Sequence, residues 1–329
     1  MNTLHHALQE SGAPDSDPAQ FLAPLAPAQS AELGELFQGW QRLARSDHVI
    51  PPISPLALRL VAFDVNAQQA SRELVSIVES DPLLTARVLG LANAAAQARA
   101  GKPIFEVQGA VLRLGMKNVA QIAMAQLTAA WMRKVGTGVD RDLLRTLWCE
   151  YLVTAACSAE IARALDEPAA NVSLAYAAGL LHDVGTLALC GLAPEPMRAF
   201  VRSGYAAGTA LHGQFVEAHT RLGEAVLVRF GAPASLCEVA ARHHAGFDTS
   251  ESAITMVVYL ADHLHGGVFA RTGDRLSLPS GYPPGCFPGI DDAAVEAMVA
   301  LGLEDALDAT LDRVAAEGGR IEVLAADLP

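Results

Sequence analysis

Aromatic side chains make up only 5% of the 329 residues, and few runs of β-branched residues that would build strands appear. With Ala and Leu dominant and 51% of the chain hydrophobic, close-packed helices are expected, because Ala keeps helix propensity high. Basic side chains are also in short supply: 23 Lys and Arg stand against 36 Asp and Glu, a net charge of -13. Phosphate backbones must be met by Lys and Arg, so general nucleic-acid binding is disfavoured. The five cysteines (Cys149, Cys157, Cys190, Cys237, Cys286) show no C-x-x-C spacing and read as reduced core thiols. No uninterrupted apolar run reaches about 18 residues. Met1-Asn2-Thr3-Leu4-His5-His6 carries no basic region ahead of an apolar core. Membrane spanning and export are therefore not indicated, and a cytoplasmic location is expected.

The length allows a large core in one or two domains. Residues 1 to about 48, rich in Ala, Gln, Ser and spaced prolines, read as a flexible extension with one helix near Ala31 to Ala44. Ile50-Pro51-Pro52-Ile53 then fixes an extended entry into a domain. A short helix is expected over Arg72 to Glu79. Asp81 and Pro82 form an N-cap and first helical position, and Leu84, Val88, Leu91 and Ala95 make one stripe of the helix they start. Val107 to Leu114 gives a short helix stopped by Gly115, and Met116 opens a buried helix ending near Arg133-Lys134. Gly136-Thr137-Gly138 closes this first lobe, so that 49–138 and 139–265 are two lobes of one domain. A variable stretch is expected from Gly191 to Gly208. Beyond Gly266 comes a loop and an acidic segment, residues 266–329, with Val295, Met298, Val299, Leu303, Leu307 and Leu311 hinting at amphipathic helices. Between Arg87 and Arg145 nine basic side chains face three acidic ones, a local +6 that would suit an anionic partner.

The chemistry concentrates in the second lobe. Leu180-Leu181-His182-Asp183-Val184-Gly185 ends an apolar helical run with an adjacent imidazole and carboxylate, which can both point at one divalent cation. His219 sits on a stripe with Phe215, Leu222 and Val226; His243-His244 ends the helix of Leu236 and Ala240; Asp262 follows Ile254 and Val258. Four helices thus each place a ligand-type side chain on an inward face, which points to one shared site. On the long helix beyond Asp140, Glu150 is a further inward carboxylate that must be paired, protonated or bound to a cation.

Pro51-Pro52, Ser80-Asp81-Pro82-Leu83-Leu84-Thr85, Leu91-Ala92-Asn93-Ala94, Val111-Leu112-Arg113-Leu114-Gly115, Leu147-Trp148, Ala178 to Gly185 and His243-His244 occur in that order. Together they resemble the HDOD family, the HD-related output domain of bacterial signalling proteins, over about residues 49 to 265. The resemblance implies an all-α, HD-domain-like multi-helix bundle with an additional N-terminal helical lobe. It implies a signal-transduction output module that acts through a signalling protein partner and is more often non-catalytic than not. The alternative is a metal-dependent phosphohydrolase acting on a nucleotide or other phosphate ester. By that resemblance a divalent metal (Fe, Mn or Mg) would be held by His182, Asp183, His219, His243, His244 and Asp262. Glu150 stands where the catalytic relatives carry their first His, and Arg87 or Lys117 would steady an anion. His243-His244-Ala245-Gly246-Phe247 lacks the Glu and Gly-Tyr-Pro of the cyclic di-GMP hydrolases, and Gly281-Tyr282-Pro283 reads as an unrelated turn.

Overall fold

The computed structural model describes residues 24–45, 50–97, 102–165, 171–246, 252–272, 276, 296–299, 301–303 and 306–326. Among these every regular element is a helix and none is a strand. In chain order the helices are α1 (Pro27–Gln38), α2 (Trp40–Ala44), α3 (Pro55–Val61), α4 (Ala70–Glu79), α5 (Pro82–Gln97), α6 (Val107–Leu114), α7 (Met116–Val135), α8 (Arg141–Leu165), α9 (Val172–Leu181) and α10 (Val184–Leu192). They continue as α11 (Pro194–Arg202), α12 (Ala210–Arg229), α13 (Ala234–Arg242), α14 (Ala253–Asp262), α15 (His265–Thr272), α16 (Leu307–Ala316) and α17 (Gly318–Ala325).

Local chemistry accounts for several boundaries. Asp81 Oδ1 accepts from the amides of Leu83 (2.8 Å) and Leu84 (3.0 Å), satisfying two of the donors left over at the start of α5. Gly115 ends α6 at φ 83°, a left-handed position that glycine occupies without steric cost. Asn171 and Thr209 cap α9 and α12 through their side-chain oxygens. Helices α3 to α7 pack on one another, and α7 continues the contact to α9 and α10. The Pro51-Pro52 entry is tied to α7 by Trp131 Nε1, which donates to Pro51 O at 2.6 Å. Asn93 on α5 clamps the following loop, its Nδ2 donating to Ile104 O (2.8 Å) and its Oδ1 accepting from Ile104 N (2.7 Å).

The centre of the second lobe is α8. At about 1.5 Å per residue its 25 residues run roughly 37 Å, and everything from Thr146 to Ala162 is buried. Helix α9 lies so close to it that a Cβ on Gly179 would stand 2.8 Å from both Ala155 Cα and Thr154 O. The apolar stretch Val172–Leu192 has the length and hydropathy of a membrane span, but 78% of its most apolar 18-residue window is buried in the protein. The four described cysteines are free and buried, and burial pushes the Cys149 thiol up to about 12.

Two expectations are revised. The flexible extension does not hold over 27–44: Leu33 and Phe37, spaced i and i+4, are buried against α12, and the single expected helix is two, divided at Gly39. The stretch 191–208 contains α11, whose Met197, Phe200 and Val201 are buried. The acidic tail forms α16 and α17, which cover α8. Leu307, Leu311, Val314, Ile321 and Leu324 are buried there, and Trp148 Nε1 donates to Leu324 O at 3.1 Å. Arg145 with Glu322 and Arg313 with Glu160 fringe this contact. Such partly exposed pairs add little, so the apolar burial holds the tail.

Candidate metal centre

His182 and Asp183 occupy the single-turn break between α9 and α10. His182 Nδ1 donates to Gly179 O at 2.7 Å, which fixes the ring and turns Nε2 toward the lobe centre, 3.2 Å from Asp262 Oδ1 at the end of α14. Asp183 is held by Thr186, whose hydroxyl donates to Oδ1 at 2.6 Å, and by Tyr151, whose hydroxyl donates to the Asp183 carbonyl at 2.8 Å.

Helix α12 is brought to this break by glycine. Gly185 leaves no room for a Cβ: one would lie 2.7 Å from the His219 carbonyl carbon and 2.9 Å from Gly223 N. His219 Nδ1 donates to Phe215 O (2.8 Å), and its Nε2 stands 3.6 Å from Asp183 Oδ1. His243, capping α13, shares its Nδ1 proton with the carbonyls of Val239 (3.1 Å) and Ala240 (3.2 Å). His219 Nε2 and His243 Nε2 then face each other at 3.4 Å. His244 adds a third imidazole, and ligand atoms of His219, His243 and His244 all lie within 4.8 Å of one another.

That geometry poses an electrostatic problem with a simple solution. A carbonyl only accepts, so Nδ1 of both His219 and His243 carries the proton and, in the neutral rings, both Nε2 atoms present lone pairs to each other. Burial first, and the neighbouring imidazoles second, hold both rings well below the usual histidine range, which opposes protonation. Burial likewise pulls His244 down to about 4. Two nitrogens bound to one cation at roughly 2.1 Å stand roughly 3.0–3.4 Å apart. The spacing and the unprotonated faces therefore fit a metal ion.

The carboxylates tell the same story from the other side. Burial raises Asp183 to about 7, and burial together with the Asp183 and Asp262 charges raises Glu150 well above the carboxylate range. Burial opposes the charged form of His182, but the hydrogen bond and charge of Asp262 outweigh it and raise this ring. Three acids share one enclosed pocket, and a cation would relieve them.

The pocket is a cavity of about 70 Å³, lined by Glu150, Tyr151, His182, Asp183, Tyr205, His212, Phe215, His219, His244 and Asp262. Six of the seven residues singled out as metal ligands in the sequence line it, and His243 stands behind, its Nε2 on His219. Arg87 and Lys117 do not line it; Arg87 Nη2 donates to Val323 O at 2.8 Å instead, and Lys117 is exposed. Among the described residues no Lys or Arg lines the pocket. Tyr151, Tyr205 and His212 were not anticipated. Tyr151 adjoins Glu150 on a helix whose whole centre is buried, so periodicity does not single it out. Tyr205 enters from a loop at φ 57°, followed by Ala206 at φ 48°, and hydrogen-bonds Glu150. Phe247 and Gly281-Tyr282-Pro283 lie outside the described residues.

Comparison with known proteins agrees with this architecture. The HDOD domain matches residues 50–246, more than half of the chain. No curated protein matches it. Among solved structures it resembles a provisionally named signal transduction protein of Marinobacter aquaeolei VT8 (TM-score 0.63, 20% identity, 95% of this chain and 68% of that one). It also resembles an HDOD domain protein of unknown function from Geobacter sulfurreducens (TM-score 0.60, 20% identity, 88% and 98%). A third is a provisionally named metal-dependent phosphohydrolase of Shewanella amazonensis SB2B (TM-score 0.57, 16% identity, 92% and 100%). At these identities the likeness is one of fold.

Proposed function

The chain belongs to the HDOD family, and from that premise we propose that it is a bacterial signal-transduction output module. It acts by protein–protein interaction, holds a divalent cation in the His/Asp pocket and turns over no phosphate ester. The observation that carries the non-catalytic reading is the pocket itself. Its roughly 70 Å³ lies well below the roughly 300–1,000 Å³ of small-molecule sites, and no cationic side chain among the described residues is there to receive a phosphate. His182, His219, His243 and His244 would supply nitrogen, and Asp183, Asp262 and Glu150 oxygen. This mixed set suits Fe²⁺ or Mn²⁺ better than Mg²⁺, which favours all-oxygen surroundings. A bound ion would supply Lewis acidity and a bound water of lowered pKa. The side chains do the rest: the Gly179 and Phe215 carbonyls fix the imidazoles of His182 and His219, and Thr186 orients Asp183.

Metal analysis of the purified chain, joined to a phosphomonoester, phosphodiester and cyclic-dinucleotide screen, tests this. Near-stoichiometric Fe or Mn without turnover is expected, and His182→Ala should lose metal and partner binding together. The second reading, a metal-dependent phosphohydrolase, is favoured by the convergence of the His-Asp pair with three further imidazoles. Turnover by the wild type that disappears in His182→Ala would establish it and overturn the first.

A further inference from the structure

Helix α1 lies outside the residues matched by the HDOD domain, yet it forms part of the wall behind the pocket. Phe37, 1% exposed, meets the Phe200 ring edge-on at 5.3 Å and the Phe215 ring at 5.5 Å. Phe200 and Phe215 are 5.0 Å apart, and both touch Tyr205, at 5.7 and 5.5 Å. Phe215 in turn stacks on the His219 imidazole at 4.4 Å, with the planes inclined by 23°. One ring therefore separates Phe37 from a ligand-type imidazole on one side and from the hydroxyl-bearing ring on Glu150 on the other.

The loop that carries Tyr205 depends on the same support. Tyr205 and Ala206 both hold left-handed backbone, which non-glycine residues adopt only when their surroundings impose it. The loop is pinned by Tyr205 N donating to Phe200 O (3.0 Å) and by His212 Nδ1 donating to Tyr205 O (3.1 Å). Phe200 is thus both a ring in the cluster and an anchor of the loop. Close packing passes small displacements on rather than absorbing them.

We propose that α1 is a positioning element of the pocket: seated on α11 and α12 through Phe37, it fixes Phe215 and Phe200, and through them His219 and the Tyr205 loop. Occupancy of the α1 seat and occupancy of the cation site are then coupled. Whatever displaces α1 lowers cation affinity, and the cation tightens α1 by the same factor. This rests on the cation reading above, so the test includes a readout that does not need a cation.

The full chain is compared as wild type, Phe37→Leu and Phe63→Leu, the last a core aromatic 2% exposed that does not line the pocket. Mn²⁺ affinity is measured by titration calorimetry, and amide hydrogen exchange of residues 203–209 is measured in chelator. Phe37→Leu is expected to weaken Mn²⁺ about tenfold and to speed exchange of the loop about tenfold, with Phe63→Leu within twofold of wild type in both. Wild-type exchange of the loop in Phe37→Leu, or an equal change in Phe63→Leu, overturns the proposal. A wild type that takes up no Mn²⁺ refutes the cation reading and overturns the coupling, and the exchange comparison then decides whether α1 positions the Tyr205 loop. If Phe37→Leu does not fold, exchange of residues 27–38 in the wild type decides: slowing on Mn²⁺ addition supports the coupling, and an unchanged rate overturns it.

Discussion

Gly185→Ala should be far more damaging than a one-methyl change in a helix suggests. Two effects compete. Ala is favoured over Gly by about 1 kcal/mol in a helix interior, an upper bound for the second residue of α10, so propensity alone predicts a more stable protein. Against it, the new Cβ would sit 2.7 Å from the His219 carbonyl carbon and 2.9 Å from Gly223 N, whereas carbon atoms rest about 3.5–4.0 Å apart. The obstacles are backbone atoms of α12, which cannot rotate away, so the two helices must part by about 1 Å. Overpacking of this kind costs about 1–3 kcal/mol or more, which outweighs the propensity gain. The displaced backbone belongs to His219 itself, so the 3.4 Å approach of His219 Nε2 to His243 Nε2 is lost with it. Thermal unfolding should show a lower midpoint, and Mn²⁺ titration at least a tenfold weaker site. A Gly185→Ala protein that melts higher and binds Mn²⁺ like the wild type would refute the reasoning at both steps.

Three further outcomes are expected. Because burial holds Asp183 to about 7, it carries a proton below that pH, and a cation must displace it. Mn²⁺ uptake should release a proton at pH 6, release less by pH 8, and weaken as pH falls through 7, as calorimetry in buffers of different ionisation enthalpy will read. Asn93→Asp keeps the acceptor for Ile104 N but places a carboxylate against Ile104 O, 2.8 Å away in the wild type; a loss of about 1–3 kcal/mol in denaturant unfolding is expected. Trp148→Phe removes the buried donor to Leu324 O and should cost about 1–3 kcal/mol, with α16 and α17 becoming the first segment cut in limited proteolysis.

The fold was legible where a local rule suffices. Asp81-Pro82 announces the start of α5 because a carboxylate and a missing N–H both suit a first helical turn, and Gly115 announces the end of α6 because only glycine takes that backbone cheaply. Helix α11 lies in the stretch expected to be variable; it is short, and Pro194 stands at its first helical position, where proline is tolerated. The one helix expected near Ala31 to Ala44 is α1 and α2, and the burial of α1 is hard to see because its buried pair, Leu33 and Phe37, is brief and set in polar surroundings. Within the site, imidazoles and carboxylates that interrupt apolar stripes were visible one helix at a time, and the structure brings them together. Tyr205 was invisible in principle, since a side chain delivered by left-handed loop backbone follows no period. Arg87 and Lys117 have the charge an anion needs, but charge says nothing of direction.

The lack of any lysine or arginine among the described residues around the cavity has an ordering consequence. Three buried acids give this space a negative potential whenever they ionise, so a free phosphate or carboxylate is repelled from it. A divalent cation is drawn in by that same potential and would offset two of the three charges. Loading is therefore ordered by sign: cations are drawn in, and anions are turned away while the acids carry charge.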